Sequence, residues 1–190
     1  MKKIFSTFKR LFFNKKETQN FSTVNQPCYD RNGRFLGWFS RSVAAVLFFY
    51  CRDKNGILHV LASERGTGAA DYKGMWNCCC GYLDFNETVK QCAIRELLEE
   101  TGVGIDEEIV KFISYEDDPV TANHQNITFR FGAYDPNNVI EKLSDFSKER
   151  NEKNEVGEIR WIPLNEIDKY QWAFGHKTLI VEVARQMQLI

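Results

Sequence analysis

Residues 42 to 51, Ser-Val-Ala-Ala-Val-Leu-Phe-Phe-Tyr-Cys, contain an apolar run with no polar alternation. Successive side chains of a strand point to opposite faces, so such a run has to be covered on both and predicts a buried central strand. It is far shorter than the ~20 apolar residues of a membrane-crossing helix. Asn55-Gly56 follows, and beyond it Ile57-Leu58-His59-Val60-Leu61-Ala62, so residues 42 to 62 read as a β-hairpin closed by a type I′ turn. A similar Asn-Gly signal lies upstream in Asp30-Arg31-Asn32-Gly33-Arg34.

After a loop rich in Gly and charge from Ser63 to Gly74, a short strand is expected from Met75 to Cys80, ending at Gly81. The period then becomes helical. Asn86 is a suitable N-cap and Gly102 a suitable left-handed stop, which predicts a helix from Glu87 to Thr101. Its stripe of Val89, Cys92, Ala93 and Leu97 is expected to anchor it. Further strands are expected at Ile109 to Tyr115, Ile127 to Tyr134 and Glu158 to Ile162. Leu179, Val183 and Met187 mark an amphipathic helix in Gly175 to Leu189, whereas Asn138 to Asn154 is polar and gives no clear element.

The chain has 190 residues, 43% hydrophobic and 27% charged, enough for one domain with a real core. Its 25 Lys and Arg nearly balance 26 Asp and Glu, so no overall basic field points to a specific nucleic-acid partner. The basic excess is confined to residues 1 to 16, where Ile4, Phe8, Leu11 and Phe12 recur at helical spacing between lysines and Arg10. Residues 1 to 27 read as a basic amphipathic or flexible leader, capable of weak contact with an anionic membrane surface, and residues 28 to 190 as the domain. Lys9 and Arg10 interrupt the apolar stretch before it reaches the length of a signal peptide. The six cysteines show no C-x-x-C spacing, with Cys78, Cys79 and Cys80 consecutive, which fits packing in a reducing cytoplasm better than zinc or disulfides.

Glu96, Glu99 and Glu100 stand at i, i+3 and i+4, on one face of the predicted helix. Like charges there repel, and the C-terminal end of a helix disfavours anions further. Arg95 lies four residues before Glu99 and offsets part of this charge; a tight set of oxygen ligands is also what Mg²⁺ or Mn²⁺ selects. Glutamate is a good helix former, so a solvated surface is the plainer reading of the three residues alone. The wider spacing decides between the two. Gly81, five residues, Glu87, seven residues, Arg95-Glu96-Leu97, one residue, Glu99-Glu100, one residue, Gly102-Val103 resembles the signature of the Nudix hydrolases at every fixed position.

The resemblance runs from about residue 40 onward and includes Trp161-Ile162-Pro163-Leu164. It implies an α/β fold, an α/β/α sandwich around a mixed β-sheet, and hydrolysis of a phosphoanhydride in a nucleoside diphosphate linked to another moiety. By resemblance, Glu96, Glu99, Glu100 and the backbone carbonyl of Cys80 would hold Mg²⁺ or Mn²⁺. Glu96 or a loop carboxylate (Glu116, Asp117, Glu155 or Glu158) would take a proton from water, while Glu87 and Arg95 orient the helix. The family commonly has Pro-Gly-Gly where this chain has Cys79-Cys80-Gly81, which puts the turn there in question. Pro119, sixteen residues past Val103, resembles a feature of ADP-ribose pyrophosphatases and raises ADP-ribose among the substrates; Tyr82, Phe85 and Trp76 are candidates for stacking on a base. Many relatives form homodimers. Isopentenyl diphosphate isomerases share the fold and place a cysteine before a glycine, as Cys80-Gly81 does, but carry a histidine ligand where Tyr82 stands. A catalytically weak nucleotide-binding module is the other alternative.

Overall fold

In the computed structural model, residues 26–120, 126–140 and 154–190 are described. The chain divides into two compact units, Met1–Ser40 and Arg41–Ile190. In the first, β1 (Gln26–Tyr29) and β2 (Phe35–Phe39) form an antiparallel hairpin. The basic leader lies almost wholly outside the described residues, and so does most of the polar stretch Asn138 to Asn154.

The second unit is built on β3 (Val43–Arg52), the strand expected from the apolar run. Ala45, Leu47 and Phe49 belong to one buried cluster, and Val46, Phe48 and Tyr50 to another on the opposite face. β3 runs parallel to β8 (Ile127–Val139), whose outer edge carries β7 (Val110–Glu116), antiparallel. On its other side, β3 pairs with β4 (Leu58–Arg65) only from Tyr50 to Arg52, and the two strands then part. β5 (Trp76–Asn77) lies along β4 and β6 (Cys80–Tyr82) along β3, so that Met75 to Cys80, expected as one strand, is divided between two neighbours. β9 (Val156–Pro163) completes the sheet on the far side of β4.

The helix α1 (Val89–Thr101) covers one face through Cys92, Ala93 and Leu97, and α2 (His176–Gln186) the other through Ile180, Val183 and Ala184. This is the α/β/α sandwich around a mixed sheet. The adjacent thiols follow the strand geometry, with Cys78 in the α2-side cluster and Cys79 in the α1-side cluster. None of the six cysteines is in a disulfide.

Two local expectations are corrected. The N-cap of α1 is Thr88, not Asn86. Its hydroxyl accepts from the Gln91 N–H at 3.2 Å while the Gln91 side chain accepts from the Thr88 N–H at 2.9 Å. That reciprocal box satisfies two otherwise free donors, and Asn86 instead takes a left-handed φ of 68° in the approach. The β3–β4 turn is not type I′, because only Gly56 has positive φ. Asp53 Oδ1 accepts from the N–H groups of both Asn55 and Ile57, which closes a turn with a single left-handed residue. Asp30 does the same to Asn32 and Arg34 before Gly33.

Leu97 is fully buried, whereas its neighbour Leu98 is 40% exposed. Leu97→Ala is therefore expected to lower stability by about 2–5 kcal/mol and Leu98→Ala by roughly 0.5 kcal/mol or less, read from urea unfolding.

Candidate functional site

Where β3 and β4 separate, the sheet leaves a cleft floored by Ala44, Val46, Ser63, Asn77, Cys80 and Gly81, and α1 brings its last two turns to the edge of it. Glu96, Glu99, Glu100 and Arg95 all line the resulting cavity of about 960 Å³. Glu87 is outside the lining but bonded to Arg95.

Arg95 uses all five of its N–H groups. Nε donates to Glu87 Oε2 at 3.0 Å and Nη2 to Glu87 Oε1 at 2.8 Å, a forked pair. The remaining Nη2 proton reaches the Tyr82 carbonyl at 3.1 Å, and Nη1 reaches Glu96 at 2.7 Å and Glu99 at 3.1 Å. One guanidinium thus joins β6, the loop before α1 and two of the three clustered carboxylates. Glu87 also accepts from the Asp84 N–H at 2.8 Å. Arg95 beside it pulls its carboxyl down to about 2.

Glu100 lies deeper. Its Oε2 is 3.1 Å from the Ser63 hydroxyl, which has one proton to share between that oxygen and Asn77 Oδ1 at 3.3 Å. The Cys80 N–H points to its Oε1 at 3.5 Å. Among the described residues, the ion pairs of Arg95 reach Glu87, Glu96 and Glu99 but not Glu100. Burial, with the neighbouring Glu96 charge added, pushes the Glu100 carboxyl up to about 7. Burial also raises Glu96, although Arg95 counters it. Two carboxylates are therefore packed side by side with too little positive charge, and a divalent cation would supply what is missing. Their oxygen-only chemistry suits Mg²⁺ or Mn²⁺. Among the described residues, no three His, Cys, Asp or Glu side chains already converge as a metal cage, since Glu96 and Glu99 are drawn to Arg95.

Gly81 is not needed for conformation, as its φ is not in the positive range. A Cβ on it would run into the Glu96 carboxylate. Cys80 lines the cavity, with the Asn77 amide 3.5 Å from its sulfur, and burial pushes its thiol up to about 12.

Of the four carboxylates expected in loops, Glu116 instead ends β7 and Glu158 lies in β9; Glu116 and Glu155 line the cavity, whereas Asp117 and Glu158 do not. Glu116 pairs with Arg130 at 3.5 Å and Glu158 pairs with Arg160 at 2.5 Å. Tyr82 borders the cavity, its hydroxyl accepting from Asn126 at 3.3 Å; Phe85 is 99% exposed outside it, and Trp76 is buried in the core. Pro119 sits in an exposed turn where Asp118 Oδ1 accepts from the Val120 N–H, away from the cavity lining.

Among the cavity residues that the sequence reading missed are two arginines and two aromatic residues. Arg65 and Arg130 bring positive charge to the wall, and Tyr72 and Phe174 bring aromatic rings. Arg65 and Tyr72 lie in or beside a loop with no periodicity, and Phe174 just precedes α2. His176 also lines the cavity, but its Nδ1 accepts from the Cys78 N–H at 3.0 Å. Burial, aided by the charges of Arg130 and Arg65, pushes it down to about 3, so it is a neutral tether at ordinary pH.

The Glu87–Arg95 fork gives a prediction with a definite sign. The folded-state value of Glu87 is lowered from 4.5 to about 2, so its stabilisation is complete above 4.5 and is lost as pH falls towards 2. The stability gap between wild type and Glu87→Gln, measured by urea unfolding, should hold steady from pH 7 to 5.5 and narrow by pH 3.

A NUDIX domain family model matches residues 40–183. Among solved structures, the NUDIX domain of Shewanella oneidensis NrtR complexed with ADP ribose is similar with TM-score 0.65 at 17% identity, over 84% of this chain and 94% of that one. A bifunctional NMN adenylyltransferase/ADP ribose pyrophosphatase from Francisella tularensis, complexed with AMP and a Mn ion, is similar with TM-score 0.57 at 20% identity, over 77% of this chain and 42% of that one. A curated isopentenyl-diphosphate Delta-isomerase from Ruegeria pomeroyi is 37% identical over 60 residues, 31% of this chain and 31% of the relative. The chain thus spans about a third of the curated relative it matches. With the family model extending across the sheet, the glutamate helix and most of α2, the chain belongs to the Nudix family.

Proposed function

We propose that the protein hydrolyses a phosphoanhydride bond in a nucleoside diphosphate linked to another moiety, with Mg²⁺ or Mn²⁺ as cofactor. The observation that carries this reading is the placement of Glu96 and Glu100, two crowded carboxylates whose burial leaves them short of positive charge, on the wall of a cavity that Arg65 and Arg130 also line. A cavity of about 960 Å³ is at the upper end of the ~300–1,000 Å³ usual for small-molecule sites, which suits a substrate with two bulky ends.

Glu96, Glu99, Glu100 and the Cys80 carbonyl would hold the metal. Bound there, it would screen the diphosphate charge against an incoming nucleophile and stabilise the departing phosphate. Arg95 fixes the rotamers of Glu96 and Glu99 through its bonds to both, and Glu87 locks Arg95 in turn. Arg65 and Arg130 meet the anionic substrate. Glu96, Glu116 and Glu155 line the cavity, and one of them would accept a proton from the attacking water. ADP-ribose belongs in the first panel of substrates, since the similar domain of NrtR was solved with it.

A second reading, an isomerase acting on isopentenyl diphosphate, draws on the 60-residue similarity and on Cys80 in the cavity. A thiol held protonated near neutral pH and a tyrosine at position 82 argue against it. The two are separated by supplying isopentenyl diphosphate, ADP-ribose and a nucleotide panel with Mg²⁺ and following consumption and phosphate products. Wild type is expected to cleave a member of the panel and leave isopentenyl diphosphate intact. Glu100→Gln should lower kcat about a hundredfold or more with little change in unfolding midpoint. Binding without turnover of any panel member would instead identify a nucleotide-binding module.

A further inference from the structure

Two aromatic residues on the cavity wall hold backbone conformations that bulky side chains rarely adopt. Tyr72 has φ 48° and Phe174 φ 57°. They come from segments about a hundred residues apart and meet edge to face, with ring centroids 4.8 Å apart. Such backbone persists only where surrounding bonds impose it, and non-glycine residues held this way cluster at ligand sites.

The imposing bonds are visible on both sides. Arg65 Nε donates to the Asp71 carbonyl at 2.9 Å and its Nη2 to the Asp71 carboxylate at 2.6 Å, which pins the residue before Tyr72. The Met75 N–H then closes a turn on the Tyr72 carbonyl at 3.0 Å, and the Gly74 N–H bonds the Arg65 carbonyl at 2.8 Å. For Phe174, the Ala173 N–H bonds the Trp76 carbonyl at 2.8 Å, and His176 is tied to the Cys78 N–H. Both segments are thus fastened to β5 or its flanks.

The two rings are not equivalent. Phe174 is hemmed in by the Arg65 guanidinium 4.9 Å from its centroid and by the His176 ring at 5.5 Å. Tyr72, propped on Phe174, is 42% exposed and borders the same cavity as Glu96 and Glu100. We infer that Tyr72 is the stacking platform for the planar base of the substrate, with Phe174 and Arg65 as its positioning residues. This assignment rests on the nucleoside diphosphate reading above and names the end of the cavity that would take the base. The diphosphate would then reach from the Arg65 side towards the carboxylates of α1.

The test measures binding rather than turnover. AMP and inorganic pyrophosphate are titrated, each with Mg²⁺, into full-length wild type, Tyr72→Ala and Tyr72→Phe, using calorimetry. Tyr72→Ala should weaken AMP about tenfold and leave pyrophosphate unchanged, while Tyr72→Phe, which keeps the ring, should bind AMP within about twofold of wild type. Equal loss for both ligands, no loss for AMP, or as large a loss in Tyr72→Phe as in Tyr72→Ala would overturn the assignment. So would wild type that binds pyrophosphate but not AMP, although hydrolysis would still stand. Ring-dependent AMP binding in a protein that cleaves no phosphoanhydride would sustain the platform and refute the hydrolase.

Discussion

The site depends on one guanidinium. Arg95 touches β6, the loop before α1 and the glutamate cluster together, and it uses every N–H it has to do so. A lysine has three donors and no fork, so it could not bond Glu87 twice and still reach Glu96, Glu99 and the Tyr82 carbonyl. The arginine also makes the local charge tolerable. Anions at a helix C-terminus are unfavourable, and three glutamates in the last two turns of α1 would drive each other apart if nothing opposed them. Arg95 offsets part of that repulsion and leaves Glu100, the most deeply buried, without an arginine partner among the described residues. The imbalance sits on the cavity wall, which is where a cation has most to gain.

The sheet supplies the opening that this charge needs. β3 and β4 pair over three residues and then diverge, and β5 and β6 satisfy the backbone groups of each along the split. Leu47 donates to the Cys79 carbonyl at 3.0 Å, which closes the gap at its narrow end. An ordinary hairpin would have continued pairing and left no cleft between the strands. Because α1 packs through Cys92, Ala93 and Leu97 on one side of that split, its carboxylate face arrives at the opening.

Much of this was legible in residue order. An apolar run without alternation specified a strand buried on both faces, and the glutamate spacing specified a shared helix face. The local errors have a common origin, in that the deciding bond was made by a side chain outside the short signal. Asn55-Gly56 alone reads as type I′; Asp53 two residues earlier captures two N–H groups and makes a different turn. Asn86 is a sound cap by type, but Thr88 with Gln91 makes two bonds where Asn86 would make one. Tyr72 and Phe174 were invisible for a deeper reason. Neither lies in a periodic segment, and their meeting depends on tertiary bonds to β5 that no spacing encodes.

Cys79-Cys80-Gly81 shows what that stretch of chain requires and what it does not. A glycine-rich turn would suggest left-handed backbone, yet Cys80–Tyr82 is a strand in register with Ala44 to Val46, and Gly81 needs no positive φ. Ala45, the partner of Gly81, belongs to the cluster on the α1 face, so the hydrogen of Gly81 faces the helix as well. Any Cβ there would occupy the volume of the Glu96 carboxylate and force it off Arg95. The position before it has no such demand, because a backbone carbonyl is the same whichever side chain follows it. A cysteine at position 80 thus leaves that carbonyl in place, whereas a side chain at 81 would displace the Glu96 carboxylate rather than the helix itself.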